Sequence, residues 1–380
     1  MSTLFTNYAR RSVHLVRGEG TRVYDDNNKA YLDFTSGIAV VSLGHAHPSI
    51  VDAVKKQSEK LWHTSNLFES PEQEMLAKTL MKGTPFSRAF FCNSGAEANE
   101  AAIKLARKHT GKQVIITFEQ SFHGRTFGAM SATGQEKVKF GFGPMLETFR
   151  TIPFNDSRAL EAAVDEDVAA IMLEVIQGEG GVNTITPEFA SKIQEICMAN
   201  GILCIVDEVQ TGIGRTGSKY AYEHTVLQPD IMTLAKGLGG GFPIGAMLGH
   251  EKLAESFGPG THGTTFGGNP LAVAVAQTVV DYVFEEEFLS EVERKSTYLM
   301  EKLKDSLANN HIEILGKGLL IGIRCTDEVT PIISIAEEEG LLLVQAGPNV
   351  IRLLPPLTVS EQEIDEAIAL LTTSMRVPSQ

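Results

Sequence analysis

Between Arg88 and about Leu248, short apolar runs alternate with helix-length segments. Runs of that kind are buried on both sides, so the pattern predicts a parallel sheet covered by helices on both faces, an α/β class chain. Strands are expected at 89–92, 114–118, 169–173, 202–206 and 231–234. One helix is legible between the strands at 169–173 and 202–206. Thr186 suits its N-cap, Pro187 its first turn, Phe189, Ile193, Ile196 and Cys197 its apolar face, and Gly201 its stop. The next strand begins at once, and such compact spacing supports a doubly wound sheet whose ligands lie at the carboxyl ends of the strands. After Pro270 the texture changes to an amphipathic helix at 271–284, a charged helix near 289–307, and short strands with helices to Met375. Strand-like stretches at 21–24 and 30–34 flank a polar turn from Asp25 to Asn28 and are expected to pack onto this later part. At 380 residues the chain exceeds the usual size of one hydrophobic core, so a large domain and a smaller α+β domain are expected.

The formal charge of −14 disfavours nucleic acid or an anionic membrane surface as partner, because both require a basic patch. Any anion bound here needs locally placed cations or backbone donors. Cys92, Cys197, Cys204 and Cys325 are too widely spread for a CxxC metal pair or a disulfide framework, which reads as reduced, cytosolic thiols. No stretch approaches the roughly 18 apolar residues of a spanning helix. A soluble cytoplasmic protein is expected. His45 and His47 flank Ala46 without a third ligand at useful spacing, so no metal site is expected.

Three places could carry chemistry. The strand at 89–92 leads into Asn93, Ser94, Gly95 and Ala96 and then a helical pattern, with Ser94 and Glu97 at capping-box spacing. That is either a well-capped helix or a helix N-terminus presenting amides to a phosphate. Asp207 and Glu208 end an apolar strand where α/β proteins bind ligands, although they could equally cap the following turn. Lys236 lies at the mouth of another buried strand before Gly237 and Gly239 to Gly241. A lysine there can be desolvated and made nucleophilic, though taken singly an ordinary surface lysine is the commoner reading. Gly212, Gly214 and Gly217 spell a literal GxGxxG, but Val209, Gln210 and Thr211 separate it from the strand, unlike a dinucleotide fingerprint.

In one order, the segments SGAEANEAAIKLAR from Ser94, SFHGRT from Ser121, EVIQGEGG from Glu174, DEVQTGIGRTG from Asp207, LAKGLGGGFPIGAML from Leu234 and HGTTFGGNPLA from His262 resemble the class III aminotransferases. The likeness runs from about Val23 to Ile364. Within that class GIAV at Gly37, LWHTSN from Leu61 and the His262 block look most like the acetylornithine aminotransferases.

The resemblance implies a fold-type I architecture dependent on pyridoxal 5'-phosphate. The large domain would span 46–270, and both termini, 1–45 and 271–380, would form the small one. By the same likeness Lys236 matches the lysine that holds the cofactor covalently, and Asp207 the carboxylate at its ring nitrogen. Ser94, Gly95 and Ala96 match the phosphate turn, Glu208 lies in the same cofactor-binding stretch, and Thr265 matches a phosphate ligand given across a dimer interface, which implies a homodimer with shared active sites. Phe122 resembles the aromatic stacked on the ring, Val209 the residue packing its other face, and Gln210 the side chain near its phenolic oxygen. Arg125 and Arg352 match arginines that hold substrate carboxylates, a task suited to a planar fork. Arg125 would take the donor's α-carboxylate and Arg352 that of 2-oxoglutarate. Glu179 resembles a gate paired with Arg352, and Thr264 another donor contact. Val175 stands where the family commonly has proline.

The implied reaction moves the δ-amino group of N2-acetyl-L-ornithine to 2-oxoglutarate, a step of arginine biosynthesis. Ile38 replaces the tyrosine with which ornithine aminotransferases engage a free α-amine, which favours an acylated donor. Bacterial 4-aminobutyrate aminotransferases also carry isoleucine there, and the His262 block sets them apart. N-succinyl-diaminopimelate, N-succinylornithine, ornithine and 4-aminobutyrate remain alternative donors. A non-catalytic binding module needs no such set of Lys236, Asp207, Arg125 and Arg352. A nicotinamide-dependent dehydrogenase would need a better-placed glycine motif than that at Gly212.

Overall fold

The computed structural model describes residues 3–307 and 312–376. Its centre is a seven-stranded sheet in the order Arg88–Cys92, Gly245–Gly249, Ile231–Leu234, Leu203–Asp207, Val168–Leu173, Val114–Phe118, Phe149–Ile152. Gly245–Gly249 runs antiparallel to both its neighbours, while the remaining pairings are parallel. All five strands expected from the sequence are present. Asp207 is the last residue of its strand, so its side chain is placed by the sheet itself.

Alternate residues of these strands enter different cores, as the two-residue strand period demands. Ile116, Ile171, Val206 and Met232 join Phe189 and Ile193 of helix Pro187–Asn200. Ile115, Met172, Ile205 and Ile231 join Ala101, Ile103 and Leu105 of helix Gly95–Thr110 on the other face. The sheet is therefore wound on both sides. Helix Pro187–Asn200 begins and ends as its sequence dictates: Thr186 accepts from the Phe189 amide at 3.2 Å, and Gly201 closes it at φ 62°.

Two strands escaped the sequence pattern. Phe149–Ile152 is an edge strand, only half-buried, and carries no continuous apolar run. Gly245–Gly249 is fully buried but bounded by glycines, and a Cβ at Gly245 would stand 2.4 Å from the Ser94 carbonyl oxygen. Here glycine marks close backbone approach and not a break.

The chain ends meet in a second sheet, where Ala30–Asp33 pairs in parallel with Leu341–Leu342. A third sheet of Glu313–Lys317, Leu320–Arg324, Val350–Leu353 and Val344–Gln345 carries Arg352. The GxGxxG stretch lies in turns, and its Arg215 is buried, donating to the Leu319 and Pro355 carbonyls at 3.1 and 2.6 Å. It ties the central sheet's loops to the C-terminal part. No described helix is long and apolar enough to cross a membrane.

Candidate active site

At the carboxyl ends of the central strands lies a cavity of about 430 Å³, lined by Ser94, Gly95, Ala96, Phe122, Arg125, Glu179, Asp207, Val209, Gln210 and Lys236 among others. Ten of the fourteen residues expected at the site are thus brought to one place. Strand geometry explains this: Asp207 ends one strand, and Lys236 follows the next one by two residues.

Asp207 is held by three donors. Asn99 Nδ2 and His123 Nδ1 both meet Oδ2 at 2.8 Å, and the Val209 amide meets Oδ1 at 3.0 Å. Asn99 is itself fixed by Thr233, whose hydroxyl donates to Oδ1 at 2.7 Å. Burial opposes a charge on His123, but the hydrogen bond and charge of Asp207 outweigh it and raise the imidazole pKa. Asn99 and His123 were not read as functional from the sequence. His123 sat in view within SFHGRT, but nothing local marks its carboxylate partner 84 residues away.

Lys236 adopts φ 41°, a left-handed conformation costly for a residue with a side chain and characteristic of sites held by their surroundings. Burial pushes its pKa down from the usual lysine range; Glu179, Asp207 and Glu174 oppose the shift and Arg352 adds to it. A lysine so placed is a better nucleophile and base than one in water.

At the start of helix Gly95–Thr110, Ser94 Oγ accepts from the Glu97 amide at 3.2 Å. Glu97 reaches back at 2.7 Å to the Asn93 amide, one residue earlier than the expected capping box. The first-turn amides of Gly95 and Ala96 have no helical partner and border the cavity. Gly95 is required there, because a Cβ would meet Val209 Cγ1 at 2.7 Å.

Glu174 accepts from the Phe122 and Gly178 amides at 2.9 and 3.3 Å, and burial raises its carboxyl to about 7. Arg352, 1% exposed, donates to Glu179 Oε1 and Oε2 at 2.7 and 3.2 Å. Burial opposes ionisation of Glu179, yet Arg352 and Lys236 bring its pKa to about 2. The pair is charged on both sides. Arg125, by contrast, is exposed, has no ion pair among the described residues, and lies 5.6 Å from the Phe122 ring centroid. Val175, buried in the Glu174 loop, has its carbonyl taken by the Ile185 amide at 2.9 Å.

Of the four expected residues that do not line the cavity, Arg352 is joined to it through Glu179 and Gln210, and three stand apart. Glu208 has its carboxylate engaged by the Thr211 hydroxyl and by the Tyr222 amide at 2.7 Å, and it does not line the cavity. Thr264 accepts from Asn93 Nδ2 at 3.0 Å, behind the turn that opens helix Gly95–Thr110. Thr265 is exposed beside the exposed Phe266 and does not reach the cavity of its own chain.

A matching family, Aminotransferase class-III, covers residues 6–375. The chain belongs to the class III aminotransferases. Members of this family resemble it over their full length. It is 57% identical to an acetylornithine aminotransferase of Halalkalibacterium halodurans, covering 98% of this chain and 97% of that protein. With the acetylornithine aminotransferase of Bacillus cereus it shares 54% over 97% of this chain and 96% of that one. The fold matches a solved ornithine aminotransferase from Toxoplasma gondii, described with pyridoxal phosphate partly occupying its active site, at TM-score 0.93 and 34% identity over 98% and 92% of the two chains. An N-acetylornithine aminotransferase from Stenotrophomonas maltophilia gives 0.84 and 40% over 97% and 96%.

Class III aminotransferases depend on pyridoxal 5'-phosphate, and the cavity fits that group. It offers unpaired helix amides for a phosphate, a fixed carboxylate for a protonated ring nitrogen, apolar walls at Phe122 and Val209, and a desolvated lysine.

Proposed function

We propose that this aminotransferase moves the δ-amino group of N2-acetyl-L-ornithine to 2-oxoglutarate, yielding N-acetyl-L-glutamate 5-semialdehyde and L-glutamate. The contrast between its two arginines carries the reading. Arg125 is a free cation at the cavity mouth, suited to a carboxylate far from the reacting amine. Arg352 is deep, and Glu179 covers it. A donor with a distant α-carboxylate and a dicarboxylate acceptor can thus use one cavity in turn. Glu179 masks Arg352 while the donor reacts, and turns away when 2-oxoglutarate brings its own carboxylate. Ile38 is exposed in the turn at φ 68° near Val40 of the lining, leaving no polar partner there for a free α-amine. The names of the 50–57% identical relatives fit the same donor and a place in arginine biosynthesis.

The bound cofactor supplies an electron sink and carries the amino group between the two half-reactions. Lys236 Nζ removes the proton from the amine-bearing carbon of the donor and returns one during the reverse half with the acceptor. Asp207, steadied by Asn99 and His123, holds positive charge at the ring nitrogen. Ser94, Gly95 and Ala96 would hold the phosphate, Phe122 and Val209 would pack the ring and Gln210 would lie at its phenolic side; Glu208 turns its carboxyl away to Thr211 and Tyr222, and Thr264 accepts from Asn93 behind the Ser94 turn.

Thr265 belongs to the neighbouring subunit's site in this proposal, so the enzyme works as a homodimer, in the cytoplasm. Exposed Trp62, Leu67, Phe68, Phe127 and Phe266 support a covered face. The pairing of Ala30–Asp33 with Leu341–Leu342 supports a small domain made of 1–45 and 271–380. A donor panel with 2-oxoglutarate tests the substrate: acetylornithine should give the highest kcat/KM, and a higher value for 4-aminobutyrate or ornithine would overturn the choice.

A further inference from the structure

Arg352 Nη1 carries two hydrogens but faces three acceptors: the Gly178 carbonyl at 2.5 Å, Glu179 Oε1 at 2.7 Å and Gln210 Oε1 at 3.0 Å. Nη2 meets only Glu179 Oε2, at 3.2 Å, and Nε is buried without a partner. Gln210 Nε2 donates to Glu179 Oε1 at 3.1 Å, which fixes its carboxamide with the oxygen toward the guanidinium. Gln210 lies so close over Gly178 that a Cβ there would meet its Oε1 and Cδ at 2.3 and 2.4 Å.

We infer that Gln210 is a positioning residue of the gate: with the Gly178 carbonyl it anchors Arg352 Nη1, so that departure of Glu179 leaves the guanidinium in place and turns its Nη2 and Nε edge into the fork for the acceptor's carboxylate. The inference rests on the proposed gate role of Glu179. Hydrogen counting supports it. With Glu179 gone, the two Nη1 hydrogens match two remaining acceptors, while Nη2 and Nε keep the parallel pair that a carboxylate takes. At 1% exposure the guanidinium is oriented by protein acceptors, so without Gln210 it would keep only the Gly178 carbonyl on Nη1 and lose orientation at the moment the acceptor binds. Gly178 is glycine because the carboxamide occupies the space of a side chain.

The test compares KM for 2-oxoglutarate with KM for acetylornithine in Gln210→Met, Gln210→Glu, Gly178→Ala and Glu179→Ala holoenzymes, with cofactor absorbance and circular dichroism confirming loaded, folded protein. Gln210→Met should raise the 2-oxoglutarate KM roughly tenfold or more, the usual scale for a hydrogen bond to a charged group, and the donor KM several-fold less. Gln210→Glu should shift the ratio further, since a permanent carboxylate would keep Arg352 paired after Glu179 leaves. Gly178→Ala, which displaces the carboxamide, should follow Gln210→Met. Equal rises in both KM values, or none, in the Gln210 variants overturn the inference. If Glu179→Ala also leaves the ratio at its wild-type value, the gate reading itself has failed; if that ratio moves while the Gln210 variants do not move it, only the part assigned to Gln210 has.

Discussion

Lys236 joins three properties that no sequence window displays together: burial, a left-handed backbone, and four charged groups acting on one amine. In sequence it is a lysine after an apolar run, and only its order with Ser94, Arg125 and Asp207 marked it. Lys236→Ala should abolish the absorbance of lysine-held cofactor and nearly all turnover; a coloured, active variant would sink the assignment. Glu208 shows what a sequence conceals. It follows Asp207 directly and was expected at the cofactor, yet its carboxylate serves the Thr211 hydroxyl and the Tyr222 amide, partners that only the fold supplies. Burial raises its carboxyl to about 7 from 4.5. The folded state therefore binds its proton more tightly than the unfolded chain does, so stability is fully present below about pH 4.5 and falls as pH rises toward 7. The loss amounts to about 3 kcal/mol at most for one such group. Glu208→Gln, which stays neutral, should flatten the fall in Tm between pH 5 and pH 8; an unchanged slope would assign that fall to other groups, Glu174 first.

Elements are more legible than the residues between them, because a strand needs only its own apolar run while a contact needs a partner. Five of the seven central strands declared themselves, and so did the helix opened by Thr186 and Pro187. The exceptions have physical causes: Phe149–Ile152 is half-buried with no continuous apolar run to show, and Gly245 was emptied of side chain by the Ser94 carbonyl. The same close packing governs Gly95, whose Cα faces the Val209 methyls at the start of helix Gly95–Thr110. Gly95→Ala must push Val209 or tilt that first turn. We expect a loss of about 1–3 kcal/mol in stability, the range for overpacking a tight site. Cofactor affinity should fall with it, because Val209 and the free amides share one wall. Val209→Ala in the same chain should restore much of both by making room, measured by thermal melts and cofactor titration; no recovery would mean that the strain lies elsewhere.

At the scale of the molecule, one chain holds ten of the expected site residues around its cavity while Thr265 projects from an exposed segment beside Phe266. A single sequence can reveal that Thr265 lies in a family motif, but under the proposed shared site the cavity it would serve depends on assembly, which neither periodicity nor charge encodes. A shared site makes a quantitative demand. Let a Lys236→Ala chain be combined with a Thr265→Ala chain by co-expression. In the mixed dimer, the cavity of the first chain lacks its own lysine and also the threonine given by the second, and is dead. The cavity of the second chain keeps its lysine and receives an intact Thr265 from the first, and is whole. With random pairing about half the dimers are mixed and half their sites are whole, so about a quarter of wild-type activity should appear when both parent variants are themselves near inactive, against an average of the parents near zero. Were Thr265 to serve its own chain, every site would carry one lesion and the mixture would show only the average of its parents. Purified mixed dimers, separated by two different affinity tags and assayed directly, distinguish the two outcomes without relying on the statistics of pairing.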